Sequence, residues 1–158
     1  SMRHLFHPSF FAFLTIAATF AGLSSAGSSP RNFERKYSTD YLKSHPLQLV
    51  TKTDFKLKNV KGLLIGTWSA TFRDIRNDET VAAQATGICR AHRANRIECV
   101  FDTAAGNVEV QPRRDGALIT VPVGQGVRFR GMKDGEEWSE ILLGTDEDNR
   151  TFKLDVKS

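Results

Sequence analysis

Cys89 and Cys99 are the chain's two cysteines, and their spacing suits a cross-strand disulfide. A three-residue loop at Arg93-Ala94-Asn95, with Asn95 tolerating left-handed backbone, joins two strands into a hairpin that sets Cys89 opposite Cys99. The same register pairs Arg90 with Glu98, Ile88 with Val100 and Ala91 with Ile97, all favourable cross-strand neighbours. Strand alternation puts Cys99 on the face of Ile97 and Phe101, so both sulfurs are expected to point inward. A redox pair would instead need Cys-x-x-Cys spacing and a helix start to depress a thiol pKa, and neither is present. Closing so short a loop contributes on the order of 2 to 3 kcal/mol, in a compartment that keeps thiols oxidised.

Other reactive groups do not assemble. His4 and His7 lie in the N-terminal apolar segment, His45 precedes a proline, and His92 sits at the mouth of the hairpin turn. A nucleophile–His pair needs the imidazole held by a third group, which neither His45 nor His92 offers. Asp146-Glu147-Asp148-Asn149 lacks the alternating ligands and closing bidentate Glu of a calcium loop and reads as a turn. With no phosphate-cradling glycine loop and no metal-spaced Cys/His cluster, no catalytic residue, metal or cofactor is expected. Aromatic side chains are the better site candidates: Trp68, Phe72 and Trp138, with Asp146 as a polar contact. Arg128 and Arg130 alternate with Phe129, and with Arg113 and Arg114 they form a possible exterior basic patch, solubilising charge being the simpler reading.

Short strands must carry these residues. Between turn signals, runs with strand chemistry recur at 47–57, 63–73, 79–91, 96–102, 107–111, 117–121, 126–132, 136–143 and 150–156. Connections this short predict an all-β domain over 47–158: an antiparallel meander of about eight strands that closes into a small barrel, since open edges invite aggregation. Ahead of it, residues 27–46 are polar and basic, with Ser28-Ser29-Pro30 and a Ser44-His45-Pro46 stop. They read as a flexible leader with at most a helical turn near Tyr41.

Residues 2–26 read as an export signal: Arg3, an uncharged run from Pro8 to Ala26, and the small residues Ser24-Ser25-Ala26 at its close. Ser1 ahead of Met2 reads as a cloning remnant. Cleavage would leave about 132 residues, enough for one compact domain outside the cytoplasm. If the segment is retained, a run of roughly 17 to 25 apolar residues can instead anchor the domain in a bilayer. Past residue 26 the chain keeps 21 Lys and Arg against 18 Asp and Glu. Eight of those bases fall within residues 27–61, a leader able to touch anionic partners. Nucleic acid is not expected, because the basic residues are not interleaved with aromatics.

Gly66-Thr67-Trp68, opening the first long strand, resembles the Gly-x-Trp of calycin-like barrels: lipocalins, avidins and the small periplasmic inhibitors of metalloproteases. In those families, the resemblance implies, the Trp closes one end of the barrel and the Gly lets the chain turn under it. Trp138 to Asp146 is similar to a late avidin strand, which implies a ligand-lining role for Trp138 and a polar contact from Asp146. Ala70 and Asp74 depart from the avidin pattern, so biotin is not implied. The 93 residues from Gly66 onward match the inhibitor barrels in size, and those inhibitors act through an N-terminal strand.

Two roles follow as expectations. The first is an exported, non-catalytic binding protein whose barrel holds a small apolar ligand or envelope component on Trp68, Phe72 and Trp138. The second is a protein-interaction module, as a protease inhibitor, immunity-type factor or secreted effector, acting through the leader or loops on an extracytoplasmic partner. Membrane contact is expected only if the N-terminal segment is retained.

Overall fold

A computed structural model describes residues 31–74, 76–77 and 79–158, so the expected export segment and the first residues of the leader lie outside the described residues. Ten strands and two short helices follow one another: β1 (Arg31–Lys36), α1 (Thr39–Ser44), β2 (Val50–Val60), β3 (Leu63–Arg73), β4 (Thr80–Arg93), β5 (Arg96–Phe101), β6 (Asn107–Arg113), β7 (Gly116–Thr120), β8 (Gly126–Lys133), β9 (Glu136–Leu143), a 3-10 turn (Glu147–Asn149) and β10 (Thr151–Val156). Strands β1 to β7 pair in sequence, β10 pairs with β7 and β1, and β3–β4 pairing closes the ring. The result is an antiparallel eight-stranded barrel, with the β8–β9 hairpin inserted between β7 and β10.

The leader is shorter than its composition indicates. Arg31–Lys36 is a barrel stave, pairing along its length with β2 and at Phe33 and Glu34 with β10. The domain therefore begins at Arg31, among the described residues, instead of Leu47. Its alternation is masked because Arg31 and Arg35 share the inward face of Phe33, and each guanidinium lies over an aromatic ring, Phe33 at 5.4 Å and Tyr37 at 4.9 Å. A guanidinium stacked on a π-face keeps its hydration on the other side, so arginine can occupy a barrel mouth.

Strand alternation builds the core. On β3, Leu64, Gly66, Trp68, Ala70 and Phe72 face inward while Ile65, Thr67, Ser69 and Thr71 face out. Trp68 stands opposite Phe55 on one side and Ala85 on the other, so large and small residues alternate around the wall and the ring fits. Phe33, Phe55, Trp68, Phe129, Ile119 and Phe152 are at most 2% exposed. Each such side chain contributes roughly 1.5 to 3 kcal/mol of burial. Buried side chains from every barrel strand join in one core cluster inside the barrel.

The ends differ. At the hairpin end lie the turns 61–62, 94–95 and 114–115, the start of β1 and the close of β10. At the helix end, α1 covers the mouth, capped by the Ser38 hydroxyl, which accepts from the Tyr41 N–H at 3.1 Å. Arg73, at the end of β3, fastens this cover by donating to the carbonyls of Gln48 (2.7 Å), His45 (2.8 Å) and Leu42 (3.3 Å). Asn149 adds a second clasp, donating to Leu47 O at 2.8 Å and accepting from Leu49 N at 3.1 Å.

Candidate functional site

The cysteine pair forms as the hairpin register requires. Cys89 and Cys99 are bonded at 2.00 Å, and Arg90↔Glu98, Ile88↔Val100 and Ala91↔Ile97 are all partners. Asn95 adopts φ 57°, but the connection is a two-residue turn, Ala94-Asn95, with the register shifting between Ala91 and Arg93. The extra residue is taken up at His92, which sits exposed with Nδ1 3.2 Å from the Glu98 carboxylate. Gly66 also has a role different from a turn: a Cβ there would stand 2.5 Å from Cys89 Sγ, so the glycine makes room for the disulfide.

Of the aromatic candidates, two belong to the core. Trp68 is fully buried, with its Nε1–H donating to Thr53 Oγ1 at 2.6 Å and its ring edge-on to Phe129 at 5.0 Å. It lies within the barrel wall, away from either mouth. Phe72 is 2% exposed and packs against Phe129 and Trp138. Trp138 is the reachable one: half-buried, its ring 5.5 Å from Phe72, and bordering two depressions. On one side is a depression of about 630 Å³ shared with Arg128, Arg130, Met132, Glu137 and Ser139. On the other is a narrower cleft of about 190 Å³ against Leu49, Arg73, Asp74 and Lys133.

Asp146 is occupied by the backbone. Its carboxylate caps the 3-10 turn, accepting from Asp148 N at 2.9 Å and Asn149 Nδ2 at 3.3 Å. The basic patch divides: Arg128 and Arg130 lie on the outward face of β8, whereas Arg113 and Arg114 lie at the β6–β7 turn, at the hairpin end. Asn95 Nδ2 donates to Pro112 O at 3.4 Å, which brings that turn beside the disulfide hairpin. Two carboxyl groups have shifted acidities. Hydrogen bonds from the Arg76 side chain and backbone hold the Asp74 carboxyl below the usual range. Burial pushes Glu109 upward, but hydrogen bonds from Arg93 and Arg96 outweigh it and leave the carboxyl lowered. Among the described residues, no group of three or more His, Cys, Asp or Glu is placed to hold a metal ion.

What sequence reading missed is an edge. β8 extends the sheet from β4 by two paired positions, Ala83↔Gly131 and Gln84↔Arg130, and β9 then pairs with β8 alone. Among the described residues, β9 is the strand with a whole side free of a partner, in a molecule otherwise closed on itself. Val127, Phe129 and Leu142 seal the hairpin's inner face at 0% exposure, while Ile141 (39%), Leu143 (51%) and Met132 (60%) lie exposed on its outward face, beside Arg128 and Arg130. The signal was the run Ile141-Leu142-Leu143, where consecutive apolar residues break the alternation and at least one must face water. No protein-family model matches this chain, and no curated protein or solved structure is significantly similar to it.

Proposed function

We propose that this chain is an exported, non-catalytic binding protein that captures an extended segment of an extracytoplasmic protein along β9. The observation that carries the reading is the free side of β9 beside the half-buried Trp138. A row of unpaired backbone donors and acceptors templates an added strand, and an adjacent aromatic supplies specificity. The filled interior supports an exterior site over an apolar ligand held within the barrel. Glu136, Glu137 and Glu140 guard the edge against self-pairing, and they favour a partner strand carrying basic residues, with apolar side chains where it passes Ile141 and Leu143.

The test is hydrogen exchange with a stoichiometric partner recovered from extracytoplasmic extract. Protection confined to the β9 amides, with affinity lowered at least about tenfold by Trp138→Ala or by Ile141→Lys with Leu143→Lys, is the expected result. Unchanged β9 exchange in the complex would overturn it, as would a small molecule retained inside the barrel by native mass spectrometry.

A further inference from the structure

A different surface, at the hairpin end, has a chemistry that neither the packed core nor the β9 edge explains. Three turns converge there and carry Lys61, Arg93, Arg113 and Arg114. The nearby carboxylates are largely committed: Glu98 faces Arg90 and His92, and Glu109 is shared by Arg93 and Arg96. Asp115 and Asp155 also lie at this end, and Glu34 and Asp54, level with Asp155, are both held by Lys157. Among the described residues, Arg31, Lys58, Lys61, Arg113 and Arg114 make no ion pair, so this end is net cationic. Apolar groups are interleaved with these charges. Val60 (40%) and Leu63 (51%) flank the Lys61-Gly62 turn, Val156 (53%) stands at the rim, and Ile88 (49%) and Val100 (47%) form a cross-strand pair on the wall behind.

We infer that the hairpin end docks on a lipid surface with anionic headgroups. Cations alone would fit any polyanion. Exposed Val60 and Leu63 beside the Lys61-Gly62 turn, with Val156 at the rim, gain only where an apolar layer lies beneath the charged one, which is the order of a bilayer's headgroups and acyl chains. The path of the chain agrees. β1 begins at Arg31 at this end, and four residues, 27–30, separate it from the uncharged run Pro8–Ala26. Fully extended, that spacer reaches roughly 13 to 14 Å at about 3.3 to 3.6 Å per residue. While the N-terminal segment is attached and lies in a membrane, the hairpin end is the part of the barrel held next to that membrane. After its removal the cationic and apolar turns remain, so the barrel keeps its own affinity for the surface.

The test is co-sedimentation of the full chain and of residues 27–158, which hold the whole closed barrel and its core. The vesicles are phosphatidylcholine alone or mixed with phosphatidylglycerol. Residues 27–158 are expected to sediment with the mixed vesicles only, and less as salt screens the charges. Lys61→Glu combined with Arg113→Glu and Arg114→Glu should weaken this by about a hundredfold. Lys36→Glu combined with Lys43→Glu and Lys52→Glu, an equal charge change toward the helix end, should leave it unchanged. Leu63→Asp should weaken vesicle binding without altering retention on dextran sulfate. All substituted side chains are exposed, and an unchanged thermal midpoint confirms folding. Absence of binding by residues 27–158, equal loss in both triple variants, or vesicle binding indifferent to Leu63→Asp would overturn the inference, the last assigning the surface to a soluble polyanion. The β9 edge takes no part in these assays, so their failure would leave the protein-binding reading intact.

Discussion

At the residue scale, Tyr37 shows what burial beside the barrel mouth does to an ionisable group. It is 7% exposed, and burial pushes its phenol up from 10.0 to about 12, against a smaller opposing pull from the Arg35 guanidinium. The folded state therefore holds the proton more tightly than the unfolded chain. The associated stability is fully present below pH 10 and is lost as pH rises from there to about 12. The loss should be roughly 2 to 3 kcal/mol across that window. Urea titrations at several alkaline pH values should show this descent in the parent protein and a flatter one in Tyr37→Phe; equal slopes would remove Tyr37 as the cause. The disulfide was legible one residue at a time, because Arg90, Ile88 and Ala91 each found a suitable partner in the same register. Trp68 was legible as a large aromatic on a strand, as fit for the core as for a ligand. Its depth depends on Ala85 opposite and on Thr53 receiving its N–H, neighbours brought close only by strand pairing.

At the element scale, the cover on the helix end depends on side chains that replace backbone pairing. Six residues make a weak helix in isolation, so α1 is held by tertiary contacts. Tyr41 stacks on His45 at 3.8 Å, and Arg73 gathers the carbonyls that follow the helix. Arg73→Met keeps the stem's packing and removes those donors. It should cost about 1 to 3 kcal/mol, with exchange in residues 39–48 accelerating before the rest of the domain. Uniform acceleration across the barrel would show that Arg73 supports the whole wall instead. Strands 63–73 and 136–143 were read with the bounds they have, because turn residues bracket both runs. β1 was not, since its six residues hold one large apolar side chain and its two inward arginines imitate a solvated leader. The free side of β9 was invisible for another reason: pairing partners are a property of topology, and nothing local distinguishes an edge strand from its neighbour.

At the scale of the whole molecule, β1 joins β2 to β10, and without it the wall has a gap flanked by two exposed edges. Deleting residues 31–36 should therefore abolish cooperative unfolding and promote aggregation, where trimming a flexible leader would leave the thermal midpoint unchanged. Calorimetry of the deleted chain distinguishes the two. The pairing of Phe33 with Val156 also has a temporal meaning. Whether the polypeptide emerges from a ribosome or threads a translocation pore, its first barrel strand is delivered long before its last. β1 and β2 can pair early, but the seam at β10 has to wait for the final segment, so closure is a late, long-range event in folding. Until then Phe33 and Phe55 remain uncovered on one side. A chaperone that binds nascent chains would find its site on that half-built wall, and would be expelled when β10 arrives.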